Sequence, residues 1–196
     1  MNVAQIIDHA CRLAGMEDAP TRAIAGEFLR NRWSTIWNSY LWKTALQAQV
    51  FGPDASRERL TLSSPAEFIC EVRAGEVPYF PQADADPSGL WFKLEGQDVV
   101  LSPPMPAGLS CIVRWKPAVP ALADSSTIPL PGGAECLLAF VTADLYEYMR
   151  QVAKSQAKLQ EAAALLERMR SIEVAQRTRS VMLVPHESVR WEDPYA

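Results

Sequence analysis

Residues 130–169 read LPGGAECLLAFVTADLYEYMRQVAKSQAKLQEAAALLERM, and this stretch decides how the rest of the chain is read. Pro131 and Gly132-Gly133 open it, and no further Pro or Gly occurs before Pro185. Pro and Gly are the usual punctuation of helices, so their absence predicts one long helix. Leu145, Tyr148, Val152, Ser155, Leu159, Ala162, Leu166 and Met169 follow one another in alternating steps of three and four. That is a heptad seam, the pattern of a helix packed lengthwise on other helices. The first turns are apolar nearly all round (Leu137, Leu138, Ala139, Phe140, Val141), which points to burial.

Working back toward the N-terminus, Asn2 is placed to cap a first helix that Gly15 closes. Val3, Ile6, Ile7, Ala10 and Leu13 form its apolar face. Asp18 followed by Pro20 marks the start of a second helix, expected to run to about residue 45. Trp33, Trp37 and Tyr40 share one of its faces, which reads as a core stripe. A base-stacking platform would need basic residues interleaved with the rings, and they are sparse here.

From residue 47 the pattern changes to short segments rich in Val, Ile, Phe and Trp, separated by Gly, Pro and Asp turns. Residues 90–94 and 99–101, joined by Glu95-Gly96-Gln97-Asp98, read as a hairpin. Cys111, Val113 and Trp115 alternate with Ile112, Arg114 and Lys116, as in a half-buried strand. The expected fold class is therefore α+β. Two N-terminal helices and one long C-terminal helix form a bundle, with a small antiparallel β unit inserted and an extended C-terminal tail. The boundaries fall at 1–46, 47–129, 130–172 and 173–196.

The chain has 196 residues, 48% of them hydrophobic, and a net charge of −4, so global charge does not recruit nucleic acid. Residues 51–130 carry six basic and ten acidic groups, whereas residues 150–180 carry seven basic and three acidic. The basic end of the long helix suits the negative pole of its dipole and could also dock an acidic partner. Four well-separated cysteines with no Cys-x-x-Cys, and no signal peptide, point to reduced thiols in a cytosolic setting. No run approaches the roughly 20 apolar residues of a membrane helix.

Motifs of catalysis are missing. There are two histidines, His9 and His186, and His9 lies two residues from Cys11, a poor metal pair on a helix. No phosphate loop, dinucleotide fingerprint, zinc-protease motif or nucleophile elbow occurs. The acidic residues Asp84, Asp86, Glu95 and Asp98 do not have the spacing of a calcium loop. Enzyme chemistry, a metal and a cofactor are not expected. The tail holds apolar anchors (Val184, Val189, Trp191, Tyr195) and is too short to fold alone.

The order of these features resembles a known family. Trp33-x-x-x-Trp37-x-x-Tyr40-x-Trp42 ends the first helical part, and a β unit follows. Then come Leu101-Ser102-Pro103-Pro104-Met105-Pro106, Ile112-Val113-Arg114-Trp115-Lys116-Pro117 and Ile128-Pro129-Leu130-Pro131, before a long helix with Ala143, Leu145 and Tyr146. This layout resembles the head-to-tail adaptor (connector) proteins of tailed bacteriophages, especially short-tailed ones. The resemblance implies a structural virion protein at the head–tail junction, assembled in the host cytoplasm. It implies a homo-oligomeric ring, usually a dodecamer, beneath the portal protein and in contact with other tail proteins. The lumen would touch genomic DNA transiently during passage and retention, and no membrane is involved. Docking to the portal is expected from the basic helix end and tail: Arg168, Arg170, Arg177, Arg179, Val184, Val189, Trp191 and Tyr195. The alternative is a non-viral binding module whose β unit recognises a peptide or small ligand while the long helix dimerises.

Overall fold

The computed structural model describes residues 1–82 and 89–182, with side chains described as far as Val174. Helix α1 spans Val3–Ala14 and α2 spans Ala19–Asn38. The Asn2 side chain accepts from Gln5 N at 2.9 Å while the Gln5 side chain accepts from Asn2 N at 3.0 Å, a reciprocal cap. Asp18 caps α2 through Thr21 N, with Pro20 in the first turn. Helix α2 ends at Asn38 and not near residue 45. Beyond it the chain folds back, so that the Trp42 indole donates to Ile36 O at 3.0 Å, before a 3₁₀ turn at Lys43–Ala45.

Seven strands follow: β1 Gln47–Phe51, β2 Arg59–Thr61, β3 Ala66–Ala74, β4 Val77–Pro81, β5 Trp91–Glu95, β6 Asp98–Ser102 and β7 Cys111–Pro117. They form one sheet in the order β1-β7-β3-β4-β5-β6-β2. All neighbours are antiparallel except β4 and β5, which pair in parallel at Phe80↔Trp91 and Pro81↔Phe92. The β5–β6 hairpin forms with Glu95 opposite Asp98, around Gly96-Gln97. The sheet curls toward a barrel. Edge-strand side chains Gln47 and Gln49 reach the loop after β2, accepting from Ser64 Oγ at 2.7 Å and Ser63 N at 3.0 Å. In β7 the alternation holds for Cys111, Val113 and Trp115, all buried. Lys116 departs from it. It is 2% exposed, 2.9 Å from the Glu67 carboxylate and 5.7 Å over the Phe68 ring, beside a register shift in β3. Burying that ammonium requires such a partner.

The C-terminal part is where the expected architecture fails. The long helix is two helices, α3 Gly133–Tyr148 and α4 Val152–Met182. Arg150 takes φ +60, Gln151 N donates to Tyr146 O at 2.8 Å and Arg150 N donates to Glu147 O at 2.8 Å. Those two bonds are a Schellman cap with Arg150 where Gly usually stands. Helix α4 then runs back along α3: Cys136 Sγ lies 3.7 Å from Ala162 O. At the far end Gly132 and Gly133 meet Met169. A Cβ on Gly132 would sit 3.2 Å from Met169 Cγ, and one on Gly133 would sit 2.8 Å from Ile128 Cγ2. Gly132 also takes φ +75, which favours glycine.

A three-helix bundle with a small antiparallel insertion is therefore not the fold. There are four α-helices and a mixed seven-stranded sheet among the described residues. The sheet has a core of its own, from Leu60, Val72, Phe92, Val99, Met105 and Trp115 among others. The helical core gathers Ile6, Leu29, Trp33, Trp37, Leu137, Val141 and Leu145. The sheet core holds twelve buried residues and the helical one eighteen among the described residues, so the β part is a principal unit. Each large buried side chain contributes about 1.5–3 kcal/mol.

The segment between β7 and α3 stitches these cores together. The Trp37 indole donates to Pro117 O at 3.2 Å and the Trp33 indole to Pro120 O at 3.0 Å. Further on, Ser126 O and Asp124 O accept from Val3 N and Ala4 N, each at 3.0 Å, at the start of α1.

The left-handed conformation at Arg150 has a measurable consequence. A residue with a Cβ is disfavoured there by about 1–2 kcal/mol, and Gly is not. Arg150→Gly should raise stability in urea denaturation by about 1 kcal/mol. A loss of about 1 kcal/mol, the usual effect of Gly within a helix, would mean that residues 149–151 continue the helix.

Candidate docking site

The antiparallel pair α3–α4, a helical hairpin, uses most of the heptad seam internally. Leu145, Ser155, Ala162 and Met169 are buried, and Leu159 and Leu166 are half-buried. The α3 helix covers the seam out to Met169, so another chain is not needed there. Tyr148 and Val152 are the exceptions, 55% and 60% exposed, because they flank the turn at the hairpin tip. The inner face of α4 continues beyond the expected seam to Glu173. That carboxylate is buried and accepts from Lys43 N at 3.0 Å and Thr44 Oγ1 at 3.2 Å. It caps the 3₁₀ turn from a distant element and locks α4 to the entrance of the sheet. No local motif announces it, since the pairing spans about 130 residues of chain.

The residues expected to dock a partner do not form one cluster. Arg168 is exposed on α4. Arg170 is half-buried and its guanidinium donates to Glu167 Oε1 at 2.6 Å. Arg177 and Arg179 lie on the backbone of α4, and their side chains fall outside the described ones. Val184, Val189, Trp191 and Tyr195 lie outside the described residues. Close to Arg168, Ile172 and Val174 are about half exposed.

A groove of about 410 Å³ opens between α2 and the hairpin tip, lined by Phe28, Asn31, Arg32, Asp144, Glu147 and Tyr148. At its base Arg32 grips Asp144 with two bonds, Nε–Oδ2 at 2.8 Å and Nη2–Oδ1 at 2.5 Å. The guanidinium also lies 5.0 Å over the Phe140 ring. Donating to the Asp144 carboxylate raises the Arg32 pKa above its ordinary value, and partial burial opposes it. Glu147 stands exposed on the rim, with no ion pair among the described residues. Sequence reasoning missed this pair because Arg32 and Asp144 are 112 positions apart.

A second cavity, of about 480 Å³, lies at the junction of helices and sheet, lined by Trp37, Leu46, Pro65, Pro117, Pro120 and Pro129 among others. Trp33 and Trp37 are buried, with ring centroids 5.2 Å apart at 54°, so they serve the core and the linker and not base stacking. Burial pushes the Cys111 thiol up to about 11 and the Cys136 thiol up to about 12, which makes both poor nucleophiles. Among the described residues, no three His, Cys, Asp or Glu side chains gather as a metal set. No helix among them is long and apolar enough to cross a membrane. No protein-family model matches the chain, and no curated protein sequence matches it.

Removing one partner of the Arg32–Asp144 pair should cost more than a surface ion pair would. Asp144 is only 11% exposed and Arg32 32%, so Asp144→Ala should lower stability by about 2 kcal/mol in urea denaturation. A loss within about 0.5 kcal/mol would show that the pair is solvated and does not tie α2 to α3.

Proposed function

We propose that this chain is a head-to-tail adaptor of a tailed bacteriophage, a structural protein that forms a ring between the portal and the tail. In that role it provides a channel through which the genome passes and in which it is retained. The observation that carries this reading is α4, whose 31 residues run well past the 16 of α3. Helix α4 is the longer arm, so its last turns extend past the end of α3. Their basic residues and the apolar anchors after them are suited to an acidic, partly apolar surface on another protein. The order of sequence features that resembles this family supports the same reading. In the ring, portal contact belongs to the distal part of α4 and the segment after it, including Arg177, Arg179 and Trp191. The acidic residues of the β part suit a lumen that lets DNA slide, because like charges repel.

The junction cavity favours one second reading, a binding module that takes a peptide or small apolar ligand beside Trp37. One experiment separates the two. The protein is co-expressed with the portal protein from the same genome, and the mixture is sized and imaged by negative-stain microscopy. The adaptor reading expects a co-eluting complex with a ring of this protein on one face of the portal. Separate elution, with this chain a stable dimer, would overturn it and favour the binding module.

A further inference from the structure

We propose that the junction cavity is the binding site of this chain's own segment 183–196, with Trp191 as the anchor. The cavity holds about 480 Å³, and Pro65, Pro117, Pro120 and Pro129 wall it beside Trp37. A concave site of this size with a largely apolar lining suits an aromatic side chain and its neighbours. Gln47 and Ser64 also line it, and their side-chain oxygens can accept from an indole N–H.

The course of α4 selects this occupant. The Glu173 carboxylate accepts from Lys43 N and Thr44 Oγ1, and Thr44 itself lines the cavity. Helix α4 therefore passes beside the cavity, and it runs on to Met182, nine residues or about 14 Å further. Nine more residues lead to Trp191, and an extended chain of that length spans about 30 Å. That reach covers the return to Thr44. It does not cover the tip of the α3–α4 hairpin, because Ala153 lies 29 residues of helix back from Met182, about 44 Å. A segment tethered this closely is presented at an effective concentration on the order of millimolar, so it fills the cavity ahead of a free peptide of similar chemistry. In the free chain the cavity is thus closed to other ligands until a partner draws the segment out. Only the identity of that partner, the portal, rests on the adaptor reading above; the contact within the chain does not depend on it.

Disulfide trapping in the isolated full chain tests it. Ala118 is exposed and lines the cavity, so Ala118→Cys is combined with Glu192→Cys in a Cys70→Ser background, since Cys70 is the exposed native cysteine. The control chain carries Ala153→Cys, exposed at the hairpin tip, in place of Ala118→Cys. Under mild oxidation the 118–192 disulfide should form within one chain, at a rate independent of protein concentration and about tenfold above that of the 153–192 disulfide. Adding Trp191→Ala should remove that advantage. Equal rates for the two pairs, an advantage that survives Trp191→Ala, or a 118–192 disulfide that joins two chains would overturn the inference. Fluorine NMR of the otherwise native chain labelled with 5-fluorotryptophan covers a fold disturbed by Ala118→Cys. The Trp191 resonance, identified by Trp191→Phe, should show little solvent isotope shift, and a shift as large as that of free 5-fluorotryptophan would overturn the inference. A failed portal complex would leave both results unaffected, so the two proposals fail separately.

Discussion

Everything in the helical half depends on the reversal at Met149–Gln151. Two backbone bonds and one left-handed residue turn an apolar run into two antiparallel arms. Once the chain turns there, the seam of α4 meets α3, and Met169 is carried onto Gly132-Gly133. Glu173 then arrives at Lys43 and Thr44, where it caps the turn that leads into the sheet. The same reversal leaves Tyr148 and Val152 at a tip with nothing to cover them. A straight helix would have put these residues on one continuous stripe.

The sheet and the helices keep separate cores but are not independent bodies strung on a linker. Trp33 and Trp37 bury their rings among the helices and spend their indole N–H groups on carbonyls of residues 117 and 120. This satisfies polar groups that would otherwise be buried unpaired, and it fixes where the chain leaving β7 must run. Arg32 and Asp144 add a charged tie between α2 and α3. Proline carbonyls suit such a junction, because the linker needs acceptors and has few N–H groups of its own to satisfy.

Much of the local structure was legible in the sequence. The caps at Asn2 and Asp18, the β5–β6 hairpin and the apolar alternation of β7 follow from short-range chemistry that each segment carries alone. The reversal was not legible, because Arg150 occupies a position that Gly usually marks and the heptad spacing runs through it unbroken. A heptad also states only that a helical partner exists, and not whether the partner is another chain or the preceding arm. The extent of the sheet was missed for a different reason. Short strands between turns look like a minor insertion until pairings such as β1 with β7 and β3 with β7, set by tertiary packing, join them. The pairs Arg32–Asp144 and Glu173–Thr44 join residues more than a hundred positions apart, and no local pattern records them.

The α3–α4 hairpin underlies all of these contacts, and a distance measurement reaches it most directly. Glu135 and Arg168 are both exposed, one near the start of α3 and the other opposite it on α4. Spin labels at these positions, read by pulsed electron resonance, should lie on the order of 10–20 Å apart, the spacing of two packed helices plus the label arms. A distance near 50 Å, the length of 33 residues of unbroken helix at 1.5 Å each, would contradict the reversal and everything built on it.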